Sequence, residues 1–239
     1  DNREFGGTCA NRGCDPKKVL VGLTEILNRA QKMVGKGIVE MPEISWKDLQ
    51  QFKKKFVEAV PAATEQELEA LGIKMYHQSP KFLDENTISV EGKTVNFDKL
   101  VIATGMKPLE LPIPGRELAM NSDDFLELKE LPESMIFIGA GYIGMEFAHI
   151  AARCGVDVTI VDSEESPLSN FDEDMVNYLK QSSEELGIKF VMNARVEEIE
   201  KLQKNLRVIA DQNGKKVEFK ARCVVNAAGR VPSIDELKL

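Results

Sequence analysis

Long apolar runs are missing from this sequence. None approaches the roughly 18 residues that a membrane-spanning helix needs, so no membrane role is expected. No signal peptide opens the chain. Histidine is scarce, with His77 and His149 alone, and of the four cysteines only Cys9 and Cys14 lie close together. Zinc sites need a second close-spaced ligand pair, so no metal site is expected. Without a secretory leader, neither is a structural disulfide framework, and a cytoplasmic protein is expected. Cys154 and Cys223 read as small buried hydrophobes. An excess of basic charge is also missing: 31 Lys and Arg face 39 Asp and Glu, a net charge of −8. That excludes a general nucleic-acid binder. An initiator methionine is absent, and the last residues follow closely on a strand-like run and a turn. A piece of a longer protein is therefore expected.

What is present is ordinary for a folded protein. The 239 residues are 43% apolar and 29% charged, enough for one or two domains with a sizeable core. Residues 15–34 read as a helix, with Val19, Leu20, Leu23, Ile26, Leu27 and Ala30 near helical spacing, ended by Gly35-Lys36-Gly37. Ser45 is placed to cap a second helix from Trp46 to Val60. Pro61 interrupts it, and helical pattern resumes to Leu71. Strand-like runs follow at Ile73–Tyr76, Thr87–Val90, Thr94–Phe97 and Lys99–Ala103, a small meander and a return strand. A proline-rich connector covers Lys107 to Gly115. Beyond it, strands at Met135–Ile138 and Val156–Val161 alternate with helices at Tyr142–Cys154 and Asp172–Leu186. Further strands are expected near Ile188–Met192, Leu206–Ala210 and Cys223–Ala227. This alternation implies a parallel sheet covered by helices.

Two constellations carry chemistry. The first is Gly6-Gly7-Thr8-Cys9-Ala10-Asn11-Arg12-Gly13-Cys14-Asp15-Pro16-Lys17-Lys18. The glycines allow backbone to approach a flat ligand. Thr8 is placed to cap the helix that follows. A helix N-terminus with Lys17 and Lys18 favours a thiolate. On a regular helix, positions five apart are about 7.5 Å apart along the axis, beyond the usual Cα span of a disulfide, about 6.8 Å. A Cys9–Cys14 bridge therefore needs a distorted turn, which Gly13 eases, and such a bridge is easily reduced. The alternative is two unpaired thiols at a helix start. The second constellation is Gly139-Ala140-Gly141-Tyr142-Ile143-Gly144, between an apolar strand and a helix, with Asp162 ending the next strand. Its glycines suit a tight turn, close approach of a pyrophosphate and helix–strand packing. The acid suits a ribose 2′-hydroxyl.

Together these residues resemble the pyridine nucleotide–disulfide oxidoreductases, the family of glutathione reductase, dihydrolipoamide dehydrogenase and mercuric reductase. The segment Gly6–Lys17 resembles the family's redox-disulfide segment. Val101–Gly105, with Pro108 and Pro112–Gly115, resembles the strand running back along FAD and the exit to the NAD domain. Gly139–Glu146 resembles the nucleotide fingerprint, and Ala228–Pro232 the turn back toward the FAD domain. The resemblance implies an α/β fold: a Rossmann-type NAD-binding domain (116–232) inserted in an incomplete FAD-binding α/β domain with a small β-meander (1–115), then the start of a return to it (233–239). It implies Cys9 as interchange thiol, Cys14 as the thiol facing the flavin, and Lys17 with ion-pair partner Glu146 beside the flavin ring. Gly7, Thr8, Lys17, Ala103, Thr104 and Gly105 would hold FAD. Gly139, Gly141, Tyr142, Ile143, Gly144, Glu146 and Asp162 would hold the nicotinamide nucleotide, with Gly229 and Arg230 at the return turn. Tyr142 matches a residue that covers the nicotinamide pocket in some members; it could equally be a packed helix residue.

The stretch Asp162–Asn170 has three acids and no cation. An NADP 2′-phosphate needs cations there, so NADH is expected over NADPH. Arg12 and Asp15 stand where the best-known members have apolar residues. The family's own FAD glycine turn, its later FAD segment and its C-terminal dimerisation domain are not in the sequence. His77 and His149 do not match the catalytic histidine of that domain and read as structural or surface residues. The resemblance implies a homodimeric parent in which NADH reduces FAD, FAD reduces Cys9–Cys14, and the thiols reduce a small-molecule or protein disulfide. The alternatives are a catalytically incomplete NAD-binding fragment without flavin, or a flavin-free dithiol module.

Overall fold

The computed structural model describes residues 1–238; Leu239, the last residue of the expected return segment, lies outside the described residues. The chain forms two compact units. One comprises residues 1–18, 51–107 and 230 onward, the other 19–50 and 108–229. In chain order the helices are α1 (Gly7–Arg12), α2 (Cys14–Met33), α3 (Trp46–Val57), α4 (Val60–Ala70), α5 (Ser122–Leu126), α6 (Tyr142–Arg153) and α7 (Glu173–Glu185). The strands are β1 (Lys81–Asp84), β2 (Thr87–Val90), β3 (Lys93–Asn96), β4 (Met106–Pro108), β5 (Ser134–Ile138), β6 (Asp157–Val161), β7 (Lys189–Val191), β8 (Ala194–Lys201), β9 (Leu206–Gln212), β10 (Lys215–Ala221), β11 (Cys223–Asn226) and β12 (Arg230–Pro232). Among the described residues, no helix is long and apolar enough to cross a membrane.

The larger unit is a parallel sheet in the order β11-β5-β6-β7, continued through α6 and α7. Strand β5 is buried on both faces, which is why it reads as an unbroken apolar run. Met135 and Phe137 point into one core with Phe125, Phe147 and Ile160. Ile136 and Ile138 point into another with Val208, Ala210 and Ile199 of an antiparallel sheet ordered β10-β9-β8. Strand order reverses at β5, whose neighbours are β6 on one side and β11 on the other. In open α/β sheets the crevice at such a reversal is where ligands bind.

His149 on α6 and Ser183 on α7 tie these two helices together, with His149 Nε2 2.8 Å from Ser183 Oγ. The Ser183 hydroxyl donates to the Leu179 carbonyl at 2.6 Å, so its oxygen is left to accept from His149 Nε2–H. Burial first, and then the charge of Arg153, push the imidazole down from 6.5 to about 4. A folded value below the unfolded one means that stability is complete above pH 6.5 and is lost as pH falls toward 4. The loss is on the order of 3 kcal/mol. Thermal melts at pH 7 and pH 4.5 should show this slope, and His149→Gln should flatten it.

The smaller unit carries the meander β1-β2-β3 and the pair β4/β12. Several expectations need correcting here. Ile73–Tyr76 and Lys99–Ala103 are not strands. Val101 is 86% exposed and no described strand pairs with its segment, so its β-propensity has no ladder to join. The helix from Trp46 ends at Val57 rather than Val60, before Pro61 rather than at it. Ser45 does cap α3, accepting from the Asp48 N–H at 3.2 Å.

Candidate functional site

The larger unit holds a cleft of about 670 Å³ at the carboxyl ends of β5, β6 and β11. Its floor is the glycine turn after β5. Gly139 has φ +107, and a Cβ there would lie 2.6 Å from the Ala227 carbonyl carbon. Gly144 packs against Gly139, and a Cβ there would collide with the Gly139 carbonyl oxygen. Gly141 differs: nothing lies within 4 Å of where its Cβ would be, and it faces the cleft. It also caps α6 without any side-chain acceptor. The first N–H groups of a twelve-residue helix thus meet the cleft with no side chain satisfying them, the arrangement that binds phosphates.

Asp162 follows β6. Its carboxylate accepts from the Ala140 N–H at 2.5 Å and from the Glu164 N–H at 2.9 Å. It is therefore fixed beside the glycine turn. Of the residues expected to bind nucleotide, Gly139, Gly141, Tyr142, Asp162 and Gly229 line the cleft. Tyr142 is 59% exposed at its rim. Ile143, Gly144 and Glu146 lie farther along α6 and are not among the lining residues.

The cleft also contains residues that the sequence reading passed over: Phe171, the connector residues Leu111–Ile113, and Arg195 and Glu197 of β8. The signal for β8 was present but broken. Apolar Ala194 and Val196 alternate, and then the phase slips to Ile199. The slip is a β-bulge: Val196 pairs with Ala210 and Glu198 with Ile209, leaving Glu197 as the extra residue.

The smaller unit holds Cys9, Cys14, Lys17, Gly7, Thr8, Ala103, Thr104, Gly105 and Arg230. The chain after Gly7 is not one regular helix. α1 ends at Arg12, Gly13 breaks it with ψ −113, and α2 begins at Cys14. A Cβ at Gly13 would lie 2.8 Å from the Thr8 carbonyl oxygen, so glycine lets the chain turn tightly where α1 ends and α2 begins. Both cysteines are free thiols and exposed. Two expectations change. Thr8 lies inside α1 and is not its cap; Gly6 is, at φ +107 and with no side-chain bond. The Cys9 thiol is raised above its ordinary value rather than lowered, chiefly by its side-chain hydrogen bond with Cys14.

Around the thiols, Arg12 is nearly buried and grips Glu4 through Nη2 at 2.9 Å and Nη1 at 3.2 Å. Asn11 Nδ2 donates to the Phe5 carbonyl at 2.9 Å. Residues 4 and 5 are thereby held on α1. Gly7 has φ +71. Ala103, Thr104 and Gly105 are exposed backbone, Gly105 with φ +70, and the Gly105 carbonyl accepts from Ser233 at 3.0 Å. Arg230 donates to the Met106 carbonyl. Lys17 lies in the smaller unit and Glu146 in the larger.

The family model described as pyridine nucleotide-disulphide oxidoreductase matches residues 3–238. Dihydrolipoyl dehydrogenase 2 of Haloarcula marismortui is 28% identical over 98% of this chain and 52% of its own length. Dihydrolipoyl dehydrogenase 3 of the same organism is 32% identical over 78% of this chain and 41% of its own. Among solved structures, the HOCl-induced flavoprotein disulfide reductase RclA of Escherichia coli superposes with a TM-score of 0.82 at 26% identity, over 99% of this chain and 51% of that one. The chain spans about half the length of the curated relatives it matches.

Proposed function

The chain belongs to the pyridine nucleotide-disulphide oxidoreductase family, and from that premise we propose that it is the nucleotide-binding and redox-thiol portion of an NADH-dependent flavoprotein disulfide reductase. In this reading residues 1–115 belong to the FAD domain, 116–232 form the NAD domain, and 233–239 begin the return to the FAD domain. The observation that carries it is the cleft in which an uncapped α6 N-terminus, an open Gly141 and a fixed Asp162 carboxylate converge.

The residues present suit both cofactors. The α6 N–H groups would hold the pyrophosphate, and Asp162 the ribose 2′-hydroxyl. Gly7, Thr8, Lys17 and the exposed backbone of Ala103, Thr104 and Gly105 would border the flavin. When bound, FAD relays two electrons from the nicotinamide to the disulfide. The chain's own part is thiol exchange. The Cys9 thiolate attacks one sulfur of an external disulfide, forming a mixed disulfide and releasing one thiolate. Cys14 then attacks Cys9, releasing the second thiol and restoring the Cys9–Cys14 bond. NADH, a proton and the disulfide yield NAD⁺ and two thiols, so the electrons balance. A small-molecule or protein disulfide is the proposed substrate, and a homodimer in the cytoplasm the proposed parent.

NADH is preferred in this reading because a 2′-phosphate would meet Asp162 and Glu164 at the cleft wall. Asp162→Ala should lower the NADH-to-NADPH preference at least about tenfold, since it removes both a hydroxyl acceptor and a repelling charge. An unchanged ratio in paired titrations would defeat the assignment. A visible absorption spectrum of the purified chain tests the flavin part. A flavin band that bleaches with NADH supports assembly of the FAD half from this chain, whereas a colourless protein that binds NADH favours the nucleotide-binding portion alone.

A further inference from the structure

Among the described residues lining the nucleotide cleft, Arg195 is the one cation, and it is already engaged: its Nη2 lies 3.3 Å from Glu197 Oε1. We infer that Glu197 is a specificity-determining residue that withholds Arg195 from a ligand's 2′-position and so sets the cleft against 2′-phosphorylated nucleotides. The inference rests on the nucleotide reading above and names the residues that tune it.

Three observations carry it. First, β8 is docked on the loop that holds Asp162. The Asn193 N–H donates to the Glu164 carbonyl and the Ala194 N–H to the Asp162 carbonyl, each at 2.8 Å. Arg195 is the next residue, so its place beside the proposed 2′-hydroxyl site is fixed by backbone. Second, Glu197 is the extra residue of the bulge in β8. Bulges beside binding sites redirect side chains, and this carboxylate meets the guanidinium two residues before it. Third, the cleft wall carries Asp162, Glu164 and Glu197 against Arg195 alone. A guanidinium is the residue of choice for a phosphate because its fork can donate two bonds at once. Held by Glu197, it presents little net charge. Freed, it would be the one group able to offset Asp162 and Glu164. The pair is solvent-exposed, so its own contribution to folding is small and its replacement should leave the fold intact.

The test is calorimetric titration of the whole chain with 5′-AMP and with adenosine 2′,5′-bisphosphate, neither of which needs flavin. The wild type should favour 5′-AMP. Glu197→Gln should improve the bisphosphate relative to 5′-AMP by about tenfold, the scale of one charge-assisted hydrogen bond. Adding Arg195→Gln should cancel that gain. If Glu197→Gln leaves the ratio within about twofold, the Glu197 inference fails while the nucleotide reading stands. A gain that persists in the double variant also overturns it, since the freed guanidinium would then not be the cause. A wild-type chain that binds neither compound overturns the nucleotide reading and this inference with it.

Discussion

Cys14→Ser in the full-length protein is expected to abolish NADH-driven disulfide reduction, with a loss of at least about a thousandfold, as for other residues that act as one catalytic unit. The wild type should gain two titratable thiols on anaerobic addition of NADH, and the variant none. The expectation follows from the break at Gly13. A regular helix would hold Cys9 and Cys14 too far apart to bridge. Here α1 stops, α2 restarts at Cys14, and the thiols come close enough to share a hydrogen bond. That proximity puts Cys14 in position to attack Cys9 in the mixed disulfide and release the substrate thiol. Cys9→Ser should be equally inactive toward external disulfides, since Cys9 makes the outward bond. A Cys14→Ser enzyme that still turns over disulfides with NADH would mean that the two thiols are not the redox pair. Counting thiols separates this reading from that of a flavin-free dithiol module, whose thiol number would not respond to NADH.

The sequence was most legible where burial on two faces or a tight backbone leaves little choice. An unbroken apolar β5 followed by a glycine turn and an amphipathic α6 admits few alternatives, and Gly139, Gly141 and Asp162 all reach one cleft. Legibility failed where the deciding partner is remote or the period breaks. Val101 and Ile102 have strand-like side chains, but a strand also needs a neighbour, and that information is not local. Strand β8 hid behind a phase slip at Glu197, and β10 behind its lysines. Yet Asn213-Gly214, with φ of 53° and 79°, is a two-residue hairpin signal that announces the β9–β10 turn. Arg195 and Glu197 could not be assigned to the cleft from spacing, because they arrive there through backbone bonds to the loop after β6. The buried Lys53, in a run of three lysines, shows the same limit: its burial follows from packing, which composition does not encode.

The glycine turn allows folding and ligand binding to be separated by mutation. Gly144→Ala is expected to destabilise the larger unit by about 3 kcal/mol, because its methyl group must displace the Gly139 carbonyl, and that means moving backbone rather than a flexible side chain. Thermal melts should show a drop of roughly 10 °C or more, and nucleotide affinity should fall with it. Gly141→Ala is the counterpart. Its φ is −71, a conformation alanine adopts, and nothing lies within 4 Å of the added atom. The protein should melt as the wild type does, yet bind NADH at least about tenfold more weakly, because the methyl group would occupy the approach of the pyrophosphate to the α6 N-terminus. The two variants change the same number of atoms three residues apart. If both lowered stability equally and neither affected binding beyond that, the open space at Gly141 would have no ligand to explain it. If they diverge as expected, that space is shaped by the phosphates and the crowding at Gly144 by the fold.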